Sequence, residues 1–223
     1  MKTCFFLRHI IAGYFVLSVF SANIITAATG SDLIVSSAGD GFTLSAAGKS
    51  APLLISSSDF PGVIRAFRDL QSDIGKVTTV IPELYLDNPP RSEQLVIAGT
   101  LGKSPIIDKL VSEGKITTKN IAGKWETFVI QVVKKPLPGV REALVITGSD
   151  KRGTIYGIYE LSAAIGGSPW YWWADVPVEH REALYIECDQ YVQGPPAVKY
   201  RGIFLNDEYP ALANWVAEKF GMV

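Results

Sequence analysis

The stretch Lys199-Tyr-Arg-Gly-Ile-Phe-Leu-Asn206-Asp207-Glu208 predicts a buried strand that ends in one amide and two adjacent carboxylates. Pro210 follows, and because proline favours the first turn of a helix we expect an amphipathic helix over residues 211–220. Strand, polar tip and helix together are the repeating unit of a β/α barrel, whose enzymes carry their reacting groups at the carboxyl ends of the strands. A barrel needs eight such units and roughly 250 residues. We therefore expect this chain of 223 residues to be the front part of a larger enzyme.

Residues 29–192 are predicted to form one α/β domain in front of this unit, because short β-type runs alternate with helical patterns. Asp59 is expected to cap the first helix. Residues 193–198 contain two adjacent prolines and are the predicted linker. The expected fold class is an α/β (α+β) N-terminal domain followed by the first βα unit of a truncated β/α (TIM) barrel over residues 199–223. Strands are expected at residues 32–36, 42–46, 52–57, 78–81, 94–98, 126–133 and 143–147, and helices at residues 60–74, 105–113 and 154–165.

Residues 1–28 have the features of a secretory signal peptide. Lys2 and Arg8 flank the start of an apolar run, and Thr26 and Ala28 are small residues suited to a cleavage site. The alternative is a membrane anchor, which needs about 20 predominantly apolar residues, and polar residues interrupt this run. We therefore predict a secreted or periplasmic protein with no stable membrane insertion after the signal is cleaved.

Charge and cysteine content exclude several classes of site. The formal net charge of −1 provides no basic field, so we expect no binding of nucleic acid. Cys4 belongs to the predicted signal, which leaves Cys188 alone and without an intramolecular disulfide. We expect Cys188 to be a small buried apolar residue in a strand. Together with His180 it makes no metal-site pattern, and we predict no metal.

The turn Gly148-Ser-Asp-Lys-Arg-Gly-Thr154 joins a predicted strand to a predicted helix and has two interpretations. Such a turn can bind phosphate on the amides of the helix N-terminus, and a domain of that kind would bind nucleotides. The glycine spacing fits neither the Walker A loop nor the dinucleotide fingerprint. The favoured interpretation is therefore a turn in which Ser149 or Asp150 caps the helix, with Arg152 free to reach a neighbouring domain or an acidic substrate.

Four consecutive aromatic residues, Trp170 to Trp173, also allow two interpretations. Flat rings stack on sugars, which would make this run a carbohydrate-binding site. Large rings equally bury apolar area between domains, which is the interpretation that we favour for most of them. In a strand, alternate rings point to opposite faces, so at most half of them can line one cleft.

The sharpest chemical signal is Asn206-Asp207-Glu208. Two acids and an amide at a barrel strand tip are suited to general acid/base catalysis or to hydrogen bonding with sugar hydroxyls. The competing interpretation is helix capping. It is weakened because Pro210 prefers the first helical position, which makes Tyr209 the cap residue.

Three motifs in this order resemble the N-terminal part of glycoside hydrolase family 115, the xylan α-1,2-glucuronidases. They are residues 143–162, residues 168–178 and residues 199–208. The similarity is dense over residues 126–221 and looser over residues 32–125. The first motif alone is weak, because related α-glucuronidases and some hexosaminidases carry a similar strand, turn and helix.

This resemblance implies an enzyme that removes glucuronic or 4-O-methylglucuronic acid from glucuronoxylan with inversion, without a metal or organic cofactor. It implies that Asn206, Asp207 and Glu208 lie where the family has substrate-binding or catalytic groups. Among them we predict Asp207 as the catalytic residue and Asn206 and Glu208 as substrate-binding residues. The remaining carboxylates are expected on later barrel strands. We therefore expect residues 29–223 alone to be inactive.

The alternative function is a non-catalytic carbohydrate-binding or scaffold domain that uses the aromatic run. A reading frame that continues into further βα units would favour the enzyme, and a true stop codon after Val223 would favour the alternative. The sequence makes no prediction of the oligomeric state.

Overall fold

A six-stranded mixed sheet lies at the centre of the computed structural model, which describes residues 33–37, 39, 41–167, 176–202, 204 and 211–220. In sheet order the strands are β10 (Tyr191–Gln193), β7 (Phe128–Lys134), β8 (Glu142–Gly148), β6 (Gln94–Thr100), β4 (Leu53–Ile55) and β5 (Leu84–Leu86). The neighbouring strands β8, β6, β4 and β5 are parallel, whereas β7 pairs antiparallel with β8 and β10 pairs antiparallel with β7.

The central strands are apolar on both faces, because both faces of the sheet are covered. Leu144 and Ile146 of β8 point into one core, and Ala143 and Val145 point into the other, as the two-residue period of a strand requires. All four side chains are fully buried. This continuous apolar run is typical of a parallel sheet buried between layers.

Helices cover the two faces unequally. Helices α1 (Pro61–Thr78) and α3 (Lys151–Ala164) pack against each other on one face, and α2 (Pro105–Ser112) lies on the other. A second, antiparallel sheet adds Phe42, Leu44, Leu184 and Ile186 to the core on the α1 and α3 side. Its strands, in order, are β1 (Ile34–Ser36), β9 (Leu184–Glu187), β2 (Phe42–Ala46) and β3 (Lys49–Ser50).

Two predictions about the ends of helix α1 are wrong. Residues 78–81 are not a strand, because α1 continues to Thr78, whose hydroxyl donates to the Ile74 carbonyl (2.7 Å), and ends at Thr79 in a left-handed conformation. Asp59 does not cap α1, since the residue at that position is Phe60. The carboxylate of Asp59 instead accepts from the amide (2.8 Å) and hydroxyl (2.9 Å) of Thr100, across the sheet.

The chain after β10 has less regular structure. The predicted helix over residues 211–220 is confirmed as α4 (Ala211–Phe220). The described part of the predicted strand, residues 199–202 and Phe204, is not in a strand. The rest of that strand, the predicted signal at residues 1–28 and the aromatic run Trp170 to Trp173 lie outside the described residues. The barrel therefore stays a prediction. Within the described ranges no helix has the length and apolarity needed to cross a membrane.

Candidate functional site

The three residues predicted to carry the chemistry, Asn206, Asp207 and Glu208, lie outside the described residues. Their roles therefore stay predictions. The structure does describe the chain on both sides of them, up to Gly202 and Phe204 before and α4 after. Residues 194–202 are the described segment that leads to them.

This segment begins with a close backbone contact. Gly194 has a φ of +101°, and a Cβ there would lie 2.8 Å from the carbonyl oxygen of Glu126. Only glycine allows both the left-handed backbone and this approach. The chain thus leaves β10 directly against the residues that precede β7.

An ion-pair cluster holds the same segment a few residues later. We call Glu126, Arg152, Tyr156 and Arg201 the Glu126 cluster. One carboxylate oxygen of Glu126 pairs with Nη1 of Arg152 (3.0 Å), and the other pairs with Nη2 of Arg201. The Tyr156 hydroxyl lies 2.8 Å from Nη2 of Arg152 and 3.1 Å from Nη2 of Arg201. Only 8% of the Glu126 side chain is exposed.

A groove of about 480 Å³ opens beside this cluster. Phe128, Tyr156 and Tyr159 line it together with Glu160 and the start of the predicted linker, residues 193–196. The Glu160 carboxylate accepts from the hydroxyl of Tyr191 (2.7 Å). Two effects raise the pKa of Tyr159 to about 12: burial, which is the larger, and the hydrogen bond that the Tyr159 hydroxyl donates to Asp69 (2.7 Å). Tyr159 is therefore a neutral ring surface and hydroxyl donor rather than an acid/base group at neutral pH.

The turn from β8 to α3 is a cap, as the favoured interpretation predicts. Asp150 accepts from the amide of Gly153 (2.8 Å) and, through its second oxygen, from the amide of Glu126 (2.8 Å). A Cβ at Gly148 would lie 2.1 Å from the nitrogen of Thr154, so the turn is closed tightly on itself. Both oxygens of the Asp150 carboxylate are therefore bonded within the chain, and one of them caps the start of α3.

A buried polar network connects three parts of the domain near the carboxyl ends of the parallel strands, and sequence reasoning missed it. The Thr100 hydroxyl lies 2.8 Å from that of Thr154 and donates to Asp59. Asp59, Thr100 and Thr154 are all buried. These residues are 41 and 54 positions apart, so no local sequence pattern indicates that they are in contact. The one feature of the sequence that they share is a position at or near the end of a predicted strand or helix. At this edge of the sheet the polar groups of Asp59, Thr100 and Thr154 are therefore bonded to one another.

Cys188 follows β9 directly and is half-buried rather than buried in a strand. Burial raises the pKa of its thiol to about 11, which keeps it a neutral thiol. Over the described part of the chain, no group of three or more His, Cys, Asp and Glu side chains is arranged to hold a metal ion.

Comparison with known proteins identifies one family. Residues 193–223 match the family model of glycosyl hydrolase family 115. A similar solved structure is described as a novel family GH115 4-O-methyl-α-glucuronidase, BtGH115A, with specificity for decorated arabinogalactans. It is 32% identical with a TM-score of 0.63, and the match covers 80% of this chain and 22% of that chain.

A second structure, CpGH84D, is 12% identical with a TM-score of 0.41, and the match covers 70% of this chain and 22% of that chain. No curated protein matches. This chain spans about a fifth of the length of the glucuronidase, 22%.

Proposed function

The chain belongs to glycosyl hydrolase family 115, and from that premise we propose that the whole protein removes glucuronic or 4-O-methylglucuronic acid side chains from a polysaccharide. The observation that carries the proposal is the position of the family match. It covers residues 193–223, the stretch that contains the predicted strand tip Asn206-Asp207-Glu208. The chemistry is therefore proposed for the same residues that the sequence pattern singles out.

The proposed reaction proceeds with inversion. It needs two carboxyl groups roughly 6.5–9.5 Å apart, one to protonate the leaving oxygen and one to activate water on the opposite face of the sugar. We assign one of these roles to Asp207. Asn206 and Glu208 are assigned to the sugar hydroxyls. The second catalytic carboxyl is assigned to a later part of the protein.

Exposed apolar side chains support a further packed domain after the linker. Val198 is 61% exposed, Tyr200 is 86% exposed and Phe204 is 91% exposed. Clustered exposed apolar residues mark a surface that another part of a protein or a partner covers. We propose that the rest of a β/α barrel covers these three, with residues 199–223 as its first unit and residues 193–198 as the linker.

The polysaccharide backbone has two candidates. The sequence motifs point to glucuronoxylan, whereas the similar glucuronidase has specificity for decorated arabinogalactans. We propose the uronic acid side chain as the recognised group, with the backbone as a secondary determinant. From residues 1–28 we further propose that the protein is secreted or periplasmic, where such polysaccharides are accessible.

The decisive experiment compares Asp207→Ala with the unchanged full-length protein. We expect turnover to fall by about 10²-fold or more, the scale of a general acid/base group. Released uronic acid is quantified from glucuronoxylan and from glucuronidated arabinogalactan in parallel, and NMR of the first product anomer tests inversion. A folded Asp207→Ala protein with a rate near that of the unchanged protein would show that another carboxylate carries the reaction.

The groove beside the Glu126 cluster favours one alternative, a non-catalytic carbohydrate-binding or scaffold domain. Its rings, Phe128, Tyr156 and Tyr159, provide apolar surface of the kind that stacks on sugars. Under this alternative the full-length protein binds glucuronoxylan in a pull-down but releases no uronic acid from it.

A further inference from the structure

The Glu126 cluster joins three parts of the chain that are far apart in sequence. Glu126 precedes β7, Arg152 and Tyr156 lie on the first turns of α3, and Arg201 follows the linker. Among these, only Arg201 belongs to the segment that leads to the predicted catalytic carboxylate. We propose that Glu126 is a positioning residue, which holds Arg201 and thereby sets the position from which the chain runs to Asp207. This inference rests on the proposed function.

The arginine is held on several sides. Nη2 of Arg201 donates to Glu126 and to the Tyr156 hydroxyl (3.1 Å), and Nη1 donates to the carbonyl of Val198. The guanidinium also lies over the rings of Trp125 (5.9 Å) and Tyr156 (5.8 Å). These hydrogen bonds and cation–π contacts restrict the rotation of the guanidinium, and the bond to Val198 ties it to the backbone of its own segment.

The acceptor of these bonds is itself rigid. The amide of Glu126 donates to Asp150 (2.8 Å), and next to it the amide of Thr127 donates to the hydroxyl of Ser149 (3.1 Å). Ser149 returns a bond from its own amide to the carbonyl of Thr127 (2.8 Å). Glu126 is therefore fixed to the turn between β8 and α3, which directly follows the buried strand β8.

Burial distinguishes this cluster from an ordinary surface ion pair. Exposed pairs contribute little, because water screens them and two long side chains lose freedom. The Glu126 side chain is only 8% exposed, whereas the side chains of Arg152 and Arg201 are 49% and 33% exposed. Removing one cation therefore leaves an incompletely paired charge on a buried side chain. The pairing with buried Glu126 therefore favours this one position of the Arg201 side chain.

The covalent chain limits how far Asp207 can lie from Arg201. An extended chain advances at most about 3.6 Å per residue, so Asp207 is no more than about 22 Å from Arg201 along the chain. A displacement of about 1 Å at a reacting group can cost roughly 10²-fold in rate. Loosening the start of the segment is therefore expected to reduce turnover without any contact between Glu126 and the sugar.

The chain offers a matched control in Glu142, at the start of β8. Its side chain is also 8% exposed and also pairs with two cations, Lys134 and Arg141. These partners lie within the α/β domain. Glu142→Gln therefore removes a comparable ion-pair cluster without touching the segment after the linker.

The test measures kcat/KM for release of uronic acid by the full-length protein, at a temperature at which every variant is folded. We expect Glu126→Gln and Arg201→Gln each to lower kcat/KM by about 10-fold or more. The loss in the double variant should be smaller than the sum of the two single losses, because both substitutions remove the ion pair between Glu126 and Arg201. Glu142→Gln should lower the melting temperature and leave kcat/KM within about twofold.

Three results would overturn the proposal: a Glu126→Gln rate within about twofold of the unchanged protein, equal losses for Glu142→Gln, or additive effects in the double variant. If Glu126→Gln does not fold, the rate of Arg201→Gln alone decides between these outcomes.

If the unchanged protein releases no uronic acid, the proposed function fails. Hydrogen exchange of residues 198–202 in the full-length protein then tests the cluster. Faster exchange in Arg201→Gln supports the positioning contact, and unchanged exchange overturns it.

Discussion

Two apolar regions of this chain have opposite surroundings. In β8, Leu144 and Ile146 are fully buried between α3 and the neighbouring strands, whereas Tyr200 and Phe204 are 86% and 91% exposed. The residue types are similar in both regions. Apolar composition therefore predicts that a segment needs burial, but the partner that buries it has to come from the rest of the protein. For β8 that partner is within residues 33–193, and for residues 198–204 we propose that it is the remainder of the barrel.

The largest expected difference between the regions is in activity. Residues 29–223 should fold their α/β domain yet release no uronic acid, because one βα unit can neither close a barrel nor supply the second carboxyl. The measurement compares uronic acid release from glucuronoxylan by this portion and by the full-length protein at equal concentration. Release by residues 29–223 would break the assignment of the second carboxyl to a later domain.

A glycine-to-alanine substitution should destabilise the protein much more in the packed region than in the exposed one. A Cβ at Gly148 would lie 2.1 Å from the nitrogen of Thr154, so Gly148→Ala should destabilise residues 29–223 by about 1–3 kcal/mol or more. A Cβ at Gly202 would meet no atom of the described residues within 4 Å, and Gly202→Ala should change stability by less than about 0.5 kcal/mol. Urea unfolding gives both values. Similar losses at both positions would contradict the contrast between a packed turn and an open segment.

A smaller effect is expected at the helix starts within the α/β domain. Asp150 accepts a bond from the amide of Gly153, so Asp150→Ala should cost about 1 kcal/mol and lower the melting temperature. Ser104 stands at the same position of α2 but makes no side-chain cap bond, and its buried hydroxyl has no partner among the described residues. Ser104→Ala should therefore be nearly neutral. Equal losses would show that the Asp150 bond does not stabilise the helix.

The elements that sequence alone predicts well are those fixed by local patterns. Residues 143–147 are apolar almost throughout and form the centre of β8, and the turn after them places Asp150 as the predicted cap. Residues 211–220 form the predicted helix α4. In each case a short apolar run or a cap residue is sufficient, because the deciding contacts lie within a few positions of the chain.

The elements that sequence misses depend on distant partners. Residues 78–81 contain β-branched residues that favour a strand, but α1 gains an additional buried turn through Val77 and Thr78 and overrides that preference. The carboxylate of Asp59 accepts from the amide of Phe60 and from the amide and hydroxyl of Thr100 at the end of the neighbouring strand β6, so it is not free to cap α1. The partnership of Glu126 with Arg201 spans the linker, and no local pattern indicates it. For Asn206, Asp207 and Glu208 the sequence prediction stands without a structural test.

Amide hydrogen exchange on residues 29–223 tests the two-part organisation most directly. Strand β8 is hydrogen-bonded on both sides, to β6 and β7, so residues 142–148 should exchange slowly, near the rate of global unfolding. Residues 199–202 have no strand pairing, so their amides should exchange much faster than those of β8 even though the Arg201 side chain is bonded to Glu126. In the full-length protein the same four residues should become protected. Equal protection of the two regions in residues 29–223 would contradict the account.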